Sequence, residues 1–141
     1  MKRKQRTEVL INGSSKIASE LSQVIKSQYE IEMIQEPKYG LVMVQVRETA
    51  QKSLFYLGEV LVTECKVKIG GAMGVGIIKG DEPDRAYDLA VVDAAYGADL
   101  SETGTWQAIL QSEADRIAAE RKAFHQKVLR TKVNFETMDT D

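Results

Sequence analysis

Between Leu61 and Ile69 the side chains alternate, with Leu61, Thr63, Cys65, Val67 and Ile69 on one side and Glu64, Lys66 and Lys68 on the other. Only a pleated strand with one covered face explains that period well, so the feature commits this part of the chain to a sheet with a dry side and a wet side. Antiparallel sheets permit that asymmetry. The alternation sits inside a longer stretch, Tyr39 to Gly80, that reads as short strands folding back and forth between two helical flanks.

The strand signals on either side extend the pattern. Tyr29 to Ile34 has the strand period and is broken by Pro37, and Gly40 to Arg47 sets Val42, Val44 and Val46 on one face. Leu54 to Leu57 and Val60 to Ile69 follow, with Gly58 between them as a bend, a bulge or a close approach of another backbone. Gly70-Gly71 is the strongest turn signal, because a two-residue hairpin loop requires the positive φ that glycine accepts cheaply. It predicts that Val67 to Ile69 pairs antiparallel with Met73 to Ile78. About five strands in a meander are expected.

Helices flank this meander. Thr7 caps a short helix to Ile11, ended by a left-handed stop at Asn12-Gly13, and a second runs from Ser15 to Gln28 with Ile17, Leu21, Val24, Ile25 and Gln28 on one face. After the sheet, Asp81 caps and Pro83 opens a helix to Tyr96 that buries Ala86, Leu89, Ala90 and Val92 before Gly97 stops it. A long final helix spans Thr105 to Arg130, with Trp106, Leu110, Ile117, Phe124 and Val128 near one stripe and Glu113, Asp115, Glu120, Lys122 and Lys127 on a wet face. Lys132 to Asp141 reads as a tail carrying Val133, Phe135 and Met138. The expectation is an α+β fold: an N-terminal helical hairpin, the meander, then two C-terminal helices, all one domain over 1–141 with 1–6 and 139–141 disordered.

Composition narrows the function classes. A chain of 141 residues is long enough to bury a core without disulfides or metal, and its net charge of -2 supplies no basic surface for nucleic acid. A single cysteine, Cys65, and no apolar run long enough for a bilayer fit a soluble protein of a reducing cytoplasm.

Reactive groups are few. His125 is the sole histidine and lies far in sequence from Cys65, so a protein-only metal centre lacks its ligands; both residues read as structural, one on a helix surface and one packed. Gly70 to Gly76 lacks the Lys and Ser/Thr of a phosphate-binding loop and is followed by a strand, which favours turn and strand bends over a partner backbone admitted at Gly74 or Gly76. Asp81, Glu82 and Asp84 could hold magnesium, but acids crowd helix N-termini because of the helix dipole, and that plainer reading is taken. Asp93, between Val92 and Ala94, either pairs with a base or faces a partner. No catalytic, cofactor-binding or metal residue is assigned. Trp106, Phe124, Phe135 and Met138 are the candidate partner interface, against the plainer reading in which the stripe is core and the tail unstructured.

The set Phe55-x-Leu57-Gly58-Glu59-x-x-Val62-Thr63-x-Cys65-x-Val67, then Gly71-x-x-Gly74, Gly80 and Val92-Asp93-Ala94, resembles the PhnG family. Tyr39-Gly40-Leu41-Val42 with Gln45 and Arg47, and Lys132 to Met138, look like its flanking motifs; Asp81, Arg85, Asn134 and Glu136 depart from its pattern. The resemblance implies a small subunit of the bacterial carbon-phosphorus lyase core, with PhnH, PhnI and PhnJ as partners. With PhnI and PhnL, it implies, these subunits replace the adenine of MgATP by an alkylphosphonate to give a ribose 1-phosphonate 5-triphosphate. It places the known chemistry mainly on PhnI and, for the later radical cleavage, on PhnJ. The expectation is a required, non-catalytic subunit of that transferase, using its final helix, tail and sheet edge to bind PhnI and neighbouring subunits, binding no cofactor itself, prone to self-association when isolated. The alternatives are a stand-alone nucleotide- or phosphonate-binding module and, less well supplied with residues, an enzyme using the acids near Asp81 with magnesium.

Overall fold

The computed structural model describes residues 1–47, 50 and 54–139, with side chains described for all of these except 47, 54–56 and 132–139. Its elements are α1 (Arg3–Asn12), α2 (Ser15–Gln28), β1 (Glu32–Arg47), β2 (Leu54–Ile69), β3 (Ala72–Lys79), α3 (Pro83–Gly97), a 3-10 turn (Ser101–Thr105) and α4 (Trp106–Asp139). Residues 3–6, expected to be disordered, form the first turn of α1. The α+β class holds. The sheet, however, has three antiparallel strands in the order β1-β2-β3, not five.

The miscount has two physical causes. Pro37 does not break β1, because β1 is an edge strand and the pairing skips from Gln35 to Lys38 around the proline, so no ladder N–H is lost. Gly58, with φ 154°, lies where the register slips between Val44 and Gln45 opposite, so β2 bends there and continues. Gly70-Gly71 forms the two-residue turn between β2 and β3, with Gly70 at φ 60° and Ile69 opposite Ala72.

The core forms around α3. One side of it lies on β3 and β2 and the other on α2, and it is buried nearly all round at Ala86, Leu89, Ala90, Val91, Val92, Ala94 and Ala95. The sheet side is possible because Ala86, Ala90 and Ala94 recur every four residues opposite Gly74 and Gly76. A Cβ on Gly74 would strike the Ala90 carbonyl oxygen and the Ala94 amide, and one on Gly76 the Ala86 carbonyl oxygen. The backbone these glycines admit is therefore the chain's own third helix.

Several local readings change. Gly13 has φ -86°, so α1 does not end in a left-handed stop; glycine is required there for space, since a Cβ would lie 2.7 Å from the Val9 carbonyl oxygen and 2.8 Å from Glu113 Cγ. Glu113, expected on the wet face of the last helix, is buried at that contact and pairs with Arg116. The left-handed residue after α3 is Asp99, at φ 53°, two beyond Gly97. Asp81 does not cap α3. The Thr63 hydroxyl does so from β2, accepting from the Glu82 N–H at 3.1 Å and donating to the Gly80 carbonyl at 2.5 Å. The expected tail is helical as far as Asp139: no glycine or proline follows Gly104, so nothing in the sequence ends α4 at Arg130.

Candidate partner interface

Asp93, Asp81 and Glu82, whose roles sequence reading left open, are engaged in holding the fold together. Asp93, on α3, accepts from Arg3 at 2.9 and 2.6 Å, from Arg6 at 3.3 Å and from the Val75 N–H of β3 at 3.0 Å. Arg6 also stacks 4.1 Å above the Tyr96 ring, and Tyr96 meets Trp106 edge-on at 5.7 Å. One carboxylate thus ties α1 to α3 and β3, and the stack continues the tie to α4. Beside it lies a cavity of about 20 Å³ lined by Arg6, Leu10, Val75 and Asp93 among others, room for about one water and not for a nucleotide.

The two departures from the family pattern near α3 have structural partners. Asp81 accepts the Tyr39 hydroxyl at 2.6 Å, a bond that holds the phenol above its usual pKa. Arg85 donates to the Leu10 and Ile11 carbonyls at 3.0 and 2.9 Å, satisfying the end of α1. Glu82 pairs with Arg85. Among the described residues no group of three or more His, Cys, Asp or Glu could hold a metal ion. Cys65 is fully buried, and burial pushes its thiol up to about 11, far from a thiolate nucleophile at neutral pH.

Among the described residues, two stretches of exposed apolar side chains run on directly from the buried core. The first is the outer half of the β1–β2 hairpin. β3 pairs only with Val62 to Ile69, so beyond Val62 the two long strands continue as a two-stranded arm. The buried face of β2 at Thr63, Cys65, Val67 and Ile69 runs on without a break into Leu61, and across the ladder into Tyr39, Leu41 and Met43. There α3 no longer covers it. Leu61, expected on the dry face, is 44% exposed, Leu41 64% and Met43 54%. A strand's alternation marks the apolar face but not where the covering helix stops, which is why sequence reading missed this surface.

The second place is the outer half of α4. Trp106 and Leu110 sit in the core, Trp106 at 2% exposure, so in this conformation Trp106 has no surface to offer a partner. Ile117 is half-buried at the edge of the core, and beyond it the same stripe emerges at Phe124, 69% exposed, and Val128. His125 lies exposed beside them. Phe135 and Met138 fall on the last turns of α4, and their side chains lie outside the described residues.

A family model described as "Phosphonate metabolism protein PhnG" matches residues 1–139. The chain belongs to the PhnG family. The match takes in all four helices and the whole sheet, so the exposed arm and outer α4 are parts of the PhnG unit, not additions to it. Membership gives the chain a role in phosphonate metabolism. No curated protein matches the sequence. No helix among the described residues is long and apolar enough to cross a membrane.

Proposed function

We propose that this chain is a required, non-catalytic subunit of the cytoplasmic assembly that displaces adenine from MgATP with an alkylphosphonate, yielding ribose 1-phosphonate 5-triphosphate. PhnI is its principal partner, with PhnH, PhnJ and PhnL joining the same carbon-phosphorus lyase machinery. The chain binds no cofactor of its own, and the MgATP is bound and consumed elsewhere in the complex.

The observation that carries this reading is the placement of apolar surface. Leu41, Met43, Leu57, Leu61, Phe124 and Val128 are open to solvent while Asp93, Asp81 and Arg85 are engaged in internal bonds. Interfaces between permanent partners are large and apolar, and a face of this kind on a free chain marks a docking surface. Family membership supplies the process in which the partners act.

Co-expression tests it. A tagged chain is expected to co-purify with PhnI in fixed ratio, and phosphonate-dependent release of adenine from ATP to require both. Recovery of the chain without PhnI, or adenine release by PhnI and PhnL at full rate in its absence, would overturn the reading.

A further inference from the structure

We propose that the unlike partner docks by adding a strand of its own to the free edge of β1, alongside Gly40 to Val46, so that the sheet of this chain continues into the partner. The proposal rests on the reading above, in which an unlike chain covers the β1–β2 arm, and it says how that chain is held.

The sheet has two edges, β1 and β3, and they are guarded unequally. An open edge is a template for pairing with another chain, which proline, charge, bulges or a covering helix suppress. Along β3 the Val75 N–H is taken by Asp93 at 3.0 Å, and Thr7 and Leu10 of α1 line one small cavity with Val75 and Ile77, so α1 lies beside that edge. The inner part of β1 is blunted by Pro37, by Glu36 and Lys38, and by register shifts on both sides of Gln35. From Gly40 to Val46 there is no proline and no charge, and the pairing with β2 is regular as far as Val44. This stretch alone is left unguarded among the described residues.

The ladder fixes which main-chain groups are free. The Leu61 carbonyl accepts from the Gly80 N–H at 2.8 Å, on the β3 side of β2. Successive residues of a strand turn their N–H and C=O groups to opposite sides, so Val60 and Val62 turn theirs toward β1. Their partners there are Val42 and Gly40. The N–H and C=O groups of Tyr39, Leu41 and Met43 therefore point away from the sheet, and no backbone bond from another described element reaches them. Donors and acceptors repeating every two residues, ~7 Å, match another extended backbone.

Side chains say what kind of strand fits. Leu41 and Met43 flank the edge on one face and Val42 and Val44 on the other, so the added strand is apolar on both sides at its middle. The free main-chain groups belong to residues whose side chains make up the open arm, so one chain can pair with the edge and go on to cover the face. A second copy cannot do both at this edge. Antiparallel pairing of β1 with β1 sets the same face of both sheets on one side, which places two open arms next to each other and covers neither.

Leu41→Pro and Leu41→Ala, each co-expressed with PhnI, test the strand. Both shorten the side chain, but only proline removes the outward N–H and sets its ring in the path of an added strand. The pairing with β2 does not use that N–H, so the free Leu41→Pro chain is expected to keep the thermal midpoint of Leu41→Ala. Its dissociation constant for PhnI should be about ten-fold higher or more than that of Leu41→Ala. In the parent complex, residue-resolved hydrogen exchange should slow at the Leu41 and Met43 amides by a similar factor, and this measurement decides alone if Leu41→Pro does not fold. Equal affinity of the two variants overturns the proposal, as does fast exchange at Leu41 and Met43 in an intact complex. Slow exchange there in the concentrated isolated chain, lost on dilution, would give the edge to a second copy and overturns it too. In each of these cases co-purification with PhnI survives; a parent that does not associate with PhnI fails the reading above and takes the strand with it.

Discussion

Gly76 leaves room for α3 and nothing else. A methyl group there would overlap the Ala86 carbonyl oxygen and lie 2.7 Å from the Ala90 amide nitrogen, both backbone atoms of a helix buried on two sides. Neither can swing away as a side chain would. Gly76→Ala is therefore expected to cost about 3 kcal/mol or more, since overpacking without a flexible neighbour must move a whole element; urea unfolding measures it. Asp88 makes a second residue-scale case. It is buried on α3, and burial pushes its carboxyl above the usual range, against the pull of Ser22 and of Lys26 at 3.8 Å. The folded chain then holds the proton more tightly than the unfolded chain does, so stability falls as pH rises from the unfolded value of about 3.9 through the raised folded value. Asp88→Asn removes the titration and should flatten the dependence of the thermal midpoint on pH over the range that begins near the unfolded value of about 3.9 and extends upward. A variant whose midpoint still fell over that range as the parent's does would show that another group is responsible.

At the scale of elements, α1 depends on one carboxylate. Asp93→Ala leaves Arg6, 11% exposed at its side chain, and the Val75 N–H without their acceptor, and frees Arg3. The expected loss is about 2 kcal/mol, with Arg3 contributing little because it is largely exposed. Chemical unfolding gives the energy, and early proteolysis within α1 shows where the fold opens first. The sequence showed Asp93 between apolar neighbours but not which base would reach it, because Arg3 and Arg6 are some ninety residues away. Local chemistry was far more legible. The alternation through Thr63, Cys65, Val67 and Ile69, the Gly70-Gly71 turn and the apolar positions of α3 all read directly, since each depends on the residues within one element. What did not read was continuity between elements. Pro37 and Gly58 look like breaks until β1 is known to be an edge and β2 to bulge, and α4 looks finished at Arg130 until it is seen to run to Asp139. The candidate site divides in the same way. Phe124 was visible as part of a helical stripe, Trp106 proved to be the buried end of that stripe, and the open hairpin arm was hidden because Leu61 carries the same pattern as the covered residues beside it.

For the whole molecule, the consequence is a body of high local stability carrying two extensions of low local stability. A two-stranded ribbon with nothing on either face is marginal in water, and a helix projecting past its packing partner has only its own propensity to hold it. The body has α3 at its centre, with buried neighbours on both sides. In the isolated chain, amides of Leu41 to Val46, Leu57 to Leu61 and Phe124 to Leu129 are expected to exchange with solvent orders of magnitude faster than those of Cys65 to Ile69 and Leu89 to Ala95. Docking should reverse the contrast locally. Once the chain is assembled with its partners, the arm and outer α4 should slow by at least ten-fold while the slow amides of the body, already limited by global unfolding, change little. Hydrogen exchange read by mass spectrometry on the free and assembled chain makes the comparison directly. An arm already as protected as α3 in a monomeric chain would mean that the exposed leucines are not waiting for cover, and the physical argument for docking would then fail even with the family assignment intact.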